Sequence, residues 1–301
     1  MTMLANAGKR DRLWRGVVIA APYFWLLLFF LVPFAIVLKI SFADPLVAQP
    51  PFSDFFDWSG AAGHRVLANF DNYRFLLEDQ LYLVSYLKSI KIALASTGLC
   101  LLLGFPMAYA IALTPYPWRN LLLLLVILPF WTSFLLRVYA WMVMLGKEGL
   151  INHLLISVGL IDKPLQMLYT DGAVYLGIVY SYLPFMILPL YATLEKLDLD
   201  LHEAAADLGA RPREVFRDVT LPLAMPGIIA GCLLVFIPAL GEYVIPALLG
   251  GLDSLMIGRT LYDEFFVNRD WPLASAVAVV LLLILILPIM LFQRLQQETE
   301  V

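Results

Sequence analysis

Charged side chains inside apolar runs are costly there, so they are the first place to look for chemistry. Glu242 lies in Pro238-Ala239-Leu240-Gly241-Glu242-Tyr243-Val244-Ile245-Pro246. A carboxylate at a Pro/Gly-broken helix can meet a cationic solute, and Tyr243 beside it offers a ring face for a cation–π contact. Two other readings of Glu242 stand open: a position near the outer interface, or a pair with a neighbouring helix. Arg137 is the second such residue. It lies about 27 Å along its helix from Arg119, at about 1.5 Å per residue, and its alternative is to snorkel to the outer interface. Trp131, Tyr139, Trp141, Tyr180 and Tyr182 can line a pathway. Rings of this kind also form interfacial belts or pack helices together.

Other chemistries find little support. Gly146-Lys147 lacks the upstream glycine and the following Ser or Thr of a phosphate-binding loop, so the chain has no such grip on ATP. His64, His153 and His202 are scattered between the apolar runs. No HExxH, G-x-S-x-G or Cys/His cluster occurs, so neither a metal site nor a catalytic nucleophile is expected. Cys100 and Cys232 both sit in apolar runs and read as small core residues. The chain is expected not to be an enzyme and to hold no cofactor of its own.

The elements that must position these residues are membrane helices. With 61% hydrophobic and 15% charged residues, the composition is that of a membrane protein. A net charge of −4 over this length does not suggest nucleic acid. Residues 1–15 form a basic tail with Lys9, Arg10, Arg12 and Arg15. The apolar run that follows is too long for a signal peptide and reads as an uncleaved first span. Spans are expected at about 16–42, 88–113, 120–145, 173–194, 224–249 and 272–292, with a tail at 294–301. The basic N-terminal tail places both termini in the cytoplasm. The acidic, Pro-rich loop at 44–80 then faces outward. The expected fold is an all-α polytopic membrane protein with one six-span domain over residues 16–293.

The longest polar interruption in the second half of the chain runs from Leu197 to Pro226 and has helical grammar. Leu197, Leu201, Ala204 and Leu208 recur at steps of four, three and four, on one helical face. Asp200 with Glu203 has the form of a capping box. Gly209 is a helix stop, and Pro212 suits the first turn of a second helix. Pro222 and Pro226 mark the return to the membrane. The spacing predicts a polar helix-turn-helix between two spans.

Here the sequence resembles a known family. Glu203-Ala204-Ala205, three residues, Gly209, nine residues, then Val219-Thr220-Leu221-Pro222 is similar to the EAA loop of ABC importer permeases. Val219 for Ile is the one departure. The resemblance implies the type I importer transmembrane fold, with residues 197–222 as the loop that docks on a separate ATP-hydrolysing subunit. Glu203, Ala204, Ala205, Gly209, Leu221 and Pro222 are its coupling residues.

The stretches from Pro129 to Asn152 and from Gly241 to Gly251 look like the polyamine branch of these permeases, which serves putrescine and spermidine. Permeases for iron(III), thiamine and other small solutes share parts of them. A flexible dication needs carboxylates for its ends and aromatic walls for its methylenes, and the candidate pathway residues Glu242, Tyr243, Trp131, Tyr139, Trp141 and Tyr182 offer both. The resemblance further implies a bacterial inner membrane location, a second and similar permease subunit, a homodimeric ATP-binding subunit that carries ATP and Mg, and a periplasmic solute-binding protein. An ion-coupled secondary transporter using Glu242, or a purely structural membrane subunit, would not need the docking loop.

Overall fold

The computed structural model describes residues 18–53, 56–57, 65–66, 69–198, 200–251 and 254–299. The basic N-terminal tail, His64 and part of the acidic loop lie outside the described residues. Among the described residues five helices are long and apolar enough to cross a membrane, and six if one bent pair is a single span. The chain divides into two compact units, residues 1–78 with 264–280 and residues 79–263 with 281–301.

In the first unit, α1 (Val18–Ile40) has a mean hydropathy of 2.3 and buries no residue. A helix apolar on every side suits lipid rather than a half-wet surface. The chain then turns through a loop that carries a two-stranded antiparallel pair, β1 (Phe56–Asp57) and β2 (Arg65–Val66). The short helix α2 (Asp71–Glu78) is tied back to the end of α1 by polar contacts. Asn72 Nδ2 donates to the Ser41 and Ala43 carbonyls at 3.0 and 2.9 Å, and the Ser41 and Tyr73 hydroxyls share a hydrogen bond of 2.7 Å.

The second unit is built on α3 (Gln80–Leu113), α7 (Asp171–Leu194) and α9 (Pro212–Leu240). α3 starts where the Asp79 carboxylate accepts the Leu81 N–H at 2.8 Å. It ends at Thr114, which is extended (φ −77°, ψ 133°) because Pro115 follows it. Its buried residues include a row of small ones, Ser85, Ser89, Ala93, Ser96, Cys100, Gly104 and Ala108, beside the larger Tyr82, Tyr86, Ile92 and Ile111. Small side chains let membrane helices approach closely, since burying apolar surface drives little between helices already in lipid. Met186 of α7, fully buried, shows how close. A Cβ on Gly104 would lie 2.9 Å from its Cγ, and one on Gly231 of α9 would lie 2.7 Å from its Sδ. Two glycines on two helices thus make room for one methionine. Cys100 and Cys232 are free, the first buried and the second half-buried.

The segment expected as one span at 120–145 is not a straight helix. α4 (Trp118–Ile127) runs into a 3₁₀ turn at Leu128–Trp131, and α5 (Phe134–Met144) leaves at 89°. The cause is local. Pro129 opens the tight turn, and Thr132 and Ser133 are extended, so the hydrogen-bond ladder stops there. A short helix, α6 (Leu150–Ser157), precedes α7. Beyond α7 come α8 (Asp200–Asp207) and then α9, which ends at Gly241. α10 (Val244–Leu249) and α11 (Ile257–Tyr262) are short, and α12 (Trp271–Thr299) closes the chain.

Candidate functional site

The coupling residues singled out by the sequence and three of the pathway candidates, Glu242, Tyr243 and Tyr182, lie at the two ends of α9. Its first helical turns carry the polar helix-turn-helix. Gly209 has φ +87°, the left-handed conformation that glycine adopts without strain. The Ala210 N–H donates to the Ala205 carbonyl at 3.1 Å, and the Gly209 N–H to that of Ala206 at 2.9 Å. That pair of bonds closes a helix end by a Schellman motif, and it fixes where α8 stops. Pro212 opens α9, as its spacing predicts. No full capping box forms at Asp200, and one half of such a box forms at Arg211, whose side chain has no acceptor for the other half. The Glu214 carboxylate accepts the Arg211 N–H at 2.7 Å, whereas Asp200 is already the first residue of α8 and its own N–H donates to Asp198 Oδ1 at 3.1 Å.

The apolar face of α8 turns away from the chain. Leu208 is 90% exposed and Leu201 47% exposed, with Ala204 exposed between them. Glu203 is also exposed, while His202 and Ala205 are half-buried on the other face. No residue of α8 is buried. Leu221 and Pro222 belong to the continuous body of α9, just after a π-helical turn at Phe216–Thr220.

The Gly241 end is organised in the opposite way. Glu242 is 7% exposed. Its Oε1 accepts the Val244 and Ile245 backbone N–H groups at 3.0 and 3.4 Å, which caps α10. Its Oε2 accepts the Tyr182 hydroxyl from the middle of α7. Of the readings the sequence left open, the structure supplies the pair with a neighbouring helix. Tyr243 is exposed and stacks on Tyr262 of α11, ring centroids 4.8 Å apart and planes 8° from parallel. Tyr182 with Glu242 and Tyr243 with Tyr262 are therefore two pairs adjacent along the chain at this end of α9, and Tyr262 is a member the sequence did not mark.

The remaining candidates lie apart from it. Trp131 is 73% exposed at the break between α4 and α5, and Tyr139 is exposed on α5. Trp141 packs edge-on against Tyr180, 5.4 Å between centroids, beside the buried cluster around Val138 and Ile178. Arg137 has its guanidinium 5.5 Å from the Phe130 ring and 5.8 Å from the Phe134 ring. Its Nε and Nη1 are buried without a hydrogen-bond partner among the described residues.

One cluster had no signal in the sequence beyond its charges. Arg119 donates from Nη2 to the Ala112 carbonyl and from Nε to the Thr114 carbonyl, both at 2.9 Å. Its Nη1 pairs with Glu195 at 3.0 Å. One guanidinium thereby caps the end of α3 and holds the end of α7, immediately before the helix-turn-helix. Among the described residues no cluster of His, Cys, Asp and Glu is placed to hold a metal ion.

The helical core, the exposed polar helix-turn-helix and the broken helix beyond it are what a solute-transporting membrane subunit would need. Residues 101–298 match the family described as binding-protein-dependent transport system inner membrane component. The chain belongs to that family. Over 286 residues this inner membrane component is 38% identical to the spermidine/putrescine transport system permease protein PotB of Salmonella typhimurium, covering 95% of each chain. Over 270 residues it is 40% identical to the protein of the same description from Escherichia coli, covering 90% of this chain and 93% of the relative. Its fold is shared with a chain of the bacterial alginate ABC transporter solved with a pentasaccharide-bound periplasmic protein, at a TM-score of 0.67, 19% identity and coverage of 97% and 96%.

Proposed function

We propose that this inner membrane component is one of two permease subunits of an ATP-driven importer that carries a polyamine of the putrescine and spermidine class into the cytoplasm. The observation that carries the substrate class is the end-to-end similarity to two spermidine/putrescine permeases. The observation that carries the coupling is the exposed stripe of Leu201, Ala204 and Leu208 on a helix whose C-terminal end is fixed by its own backbone. Such a stripe is unfavourable in water and fits an apolar groove on a partner.

In this reading α8 docks on a homodimeric ATPase that binds ATP and Mg, and this chain supplies no catalytic group or cofactor. Glu203, Ala204, Ala205 and Gly209 form the docking element, and Leu221 and Pro222 join it to α9. Both termini lie on the ATPase side. A periplasmic solute-binding protein delivers the polyamine at the opposite side. A second, similar permease subunit completes the pathway.

The pathway walls are aromatic. The stacked faces of Tyr243 and Tyr262 meet the methylenes and ammonium groups of the solute through cation–π and apolar contact. Trp131, Tyr139 and Trp141, which lie apart from that pair, are the further aromatic candidates for the pathway. Glu242 and Tyr182 sit behind it, fix the break between α9 and α10, and lend the pathway negative charge.

The test is ATPase activity in nanodiscs of this chain co-expressed with a candidate ATPase, permease partner and binding protein. Putrescine, spermidine and an amino acid control are each supplied on the binding protein, with Gly209→Asp beside the unaltered chain. Polyamine-dependent stimulation that Gly209→Asp loses is the expected result. An assembled complex that no polyamine stimulates overturns the substrate, and absence of any associated ATPase overturns the coupling.

A further inference from the structure

We infer that His202 is the positioning residue of the coupling helix: its imidazole ties α8 to the base of the membrane helix α9, and the movement of α8 enters the membrane through that tie. The inference rests on the coupling reading above.

Four observations lead to it. His202 Nε2 lies 2.9 Å from the Thr220 hydroxyl oxygen, eighteen positions along the chain. Thr220 is 1% exposed, so its hydroxyl has little access to water as an alternative partner. This is the one side-chain hydrogen bond from α8 to the rest of the protein among the described residues. Thr220 also closes the π-helical turn Phe216–Thr220, in which the Leu221 N–H reaches back to the Phe216 carbonyl. π-helical turns are wider than the helix around them, and they collect at functional sites.

That turn is a junction. At its other end, Phe216 meets Phe105 of α3 edge-on, with centroids 5.5 Å apart and planes at 86°. A displacement of α8 therefore reaches α9 through His202 and Thr220, and reaches α3 through the same turn. The backbone link between α8 and α9 runs through Gly209, Ala210 and Arg211, and it contains a left-handed glycine. Its hydrogen bonds close each helix separately, and among the described residues no backbone hydrogen bond joins α8 to α9. With the His202 tie, α8 and the base of α9 move as one body. Without it, α8 can follow the ATPase while α9 stays where it was.

The test uses the complete complex in nanodiscs and compares the unaltered chain, His202→Ala, His202→Gln, Thr220→Val and the double variant His202→Ala with Thr220→Val. Thermal unfolding and ATPase co-purification are recorded for each. His202→Ala is expected to keep its ATPase and its basal hydrolysis. Its polyamine uptake per ATP hydrolysed falls about fivefold, a factor of the size one neutral hydrogen bond supplies. Thr220→Val is expected to give the same loss, the double variant no more than either alone, and His202→Gln a partial recovery, because its amide can still reach the hydroxyl. Unchanged uptake per ATP in His202→Ala, or additive losses in the double variant, overturns the inference. So does loss of assembly in His202→Ala, which would make the residue merely structural. A failure of the coupling reading itself looks different: the unaltered chain then binds no ATPase.

Discussion

The two ends of α9 solve opposite problems. At the Gly241 end the chain satisfies its own polar groups. One carboxylate, Glu242, takes two backbone N–H groups and a tyrosine hydroxyl, and it is buried among the helices it joins. At the Pro212 end the chain leaves apolar side chains in the open and ties its coupling helix down by one side-chain hydrogen bond. A broken helix inside a bilayer needs its freed N–H groups paired, because lipid offers none. A docking helix needs the reverse, a face that its own chain does not use. The first end is where substitutions should cost stability, and the second is where they should cost function alone.

Glu242→Ala tests the comparison most severely. It leaves the Tyr182 hydroxyl without its acceptor and uncaps α10, and it should cost about 3 kcal/mol. Thermal unfolding of the purified chain reads this directly, and an unchanged midpoint would mean that the break holds itself. Arg119, at the feet of α3 and α7 and not at the Gly241 end of α9, comes next: Arg119→Ala should cost about 2 kcal/mol, since it removes two carbonyl contacts and a half-exposed ion pair. Glu195→Ala removes the ion pair alone and should cost less than half of that. If the two match, the carbonyl contacts contribute nothing. Tyr182→Phe keeps the ring and loses the hydroxyl, for about 1 kcal/mol in the same unfolding assay.

At the other end, Leu208→Asp places a charge on a side chain already in the open. It should leave stability within about 0.5 kcal/mol. ATPase co-purification should nonetheless fall at least about tenfold, because an aspartate in an apolar groove is desolvated without a partner. Lost stability with docking retained would reverse the comparison.

Much of the Pro212 end was legible in the sequence because its signals are local. The four-three-four spacing of Leu197, Leu201, Ala204 and Leu208 marks a face, Gly209 a left-handed stop and Pro212 a start. Each acts within one or two helical turns. What the spacing did not say is which way the face points: Leu201, Ala204 and Leu208 point away from the chain, whereas Leu197, which precedes α8, is half-buried against the core. The capping box read at Asp200 with Glu203 does not form because α8 already begins at Asp200, whose N–H is taken by Asp198, while Glu214 accepts the Arg211 N–H at the start of α9. The break in the segment 120–145 was signalled by Pro129, but a proline in a membrane helix can leave it merely kinked. The extended Thr132 and Ser133 make it a bend of 89°.

By itself the sequence determined that the chain is a bundle of membrane helices with a polar helix-turn-helix between two of them. Apolar runs of span length and turn residues at fixed offsets specify both without reference to the rest of the chain. Only the tertiary structure decided that Tyr182 meets Glu242, that Tyr243 stacks on Tyr262, that His202 reaches Thr220 and that Arg119 joins α3 to α7. Apart from the short reach of Arg119 back to Ala112, seven positions away, the members of each pair lie eighteen or more positions apart. Helical periodicity relates residues three and four apart, so nothing in it could bring these together.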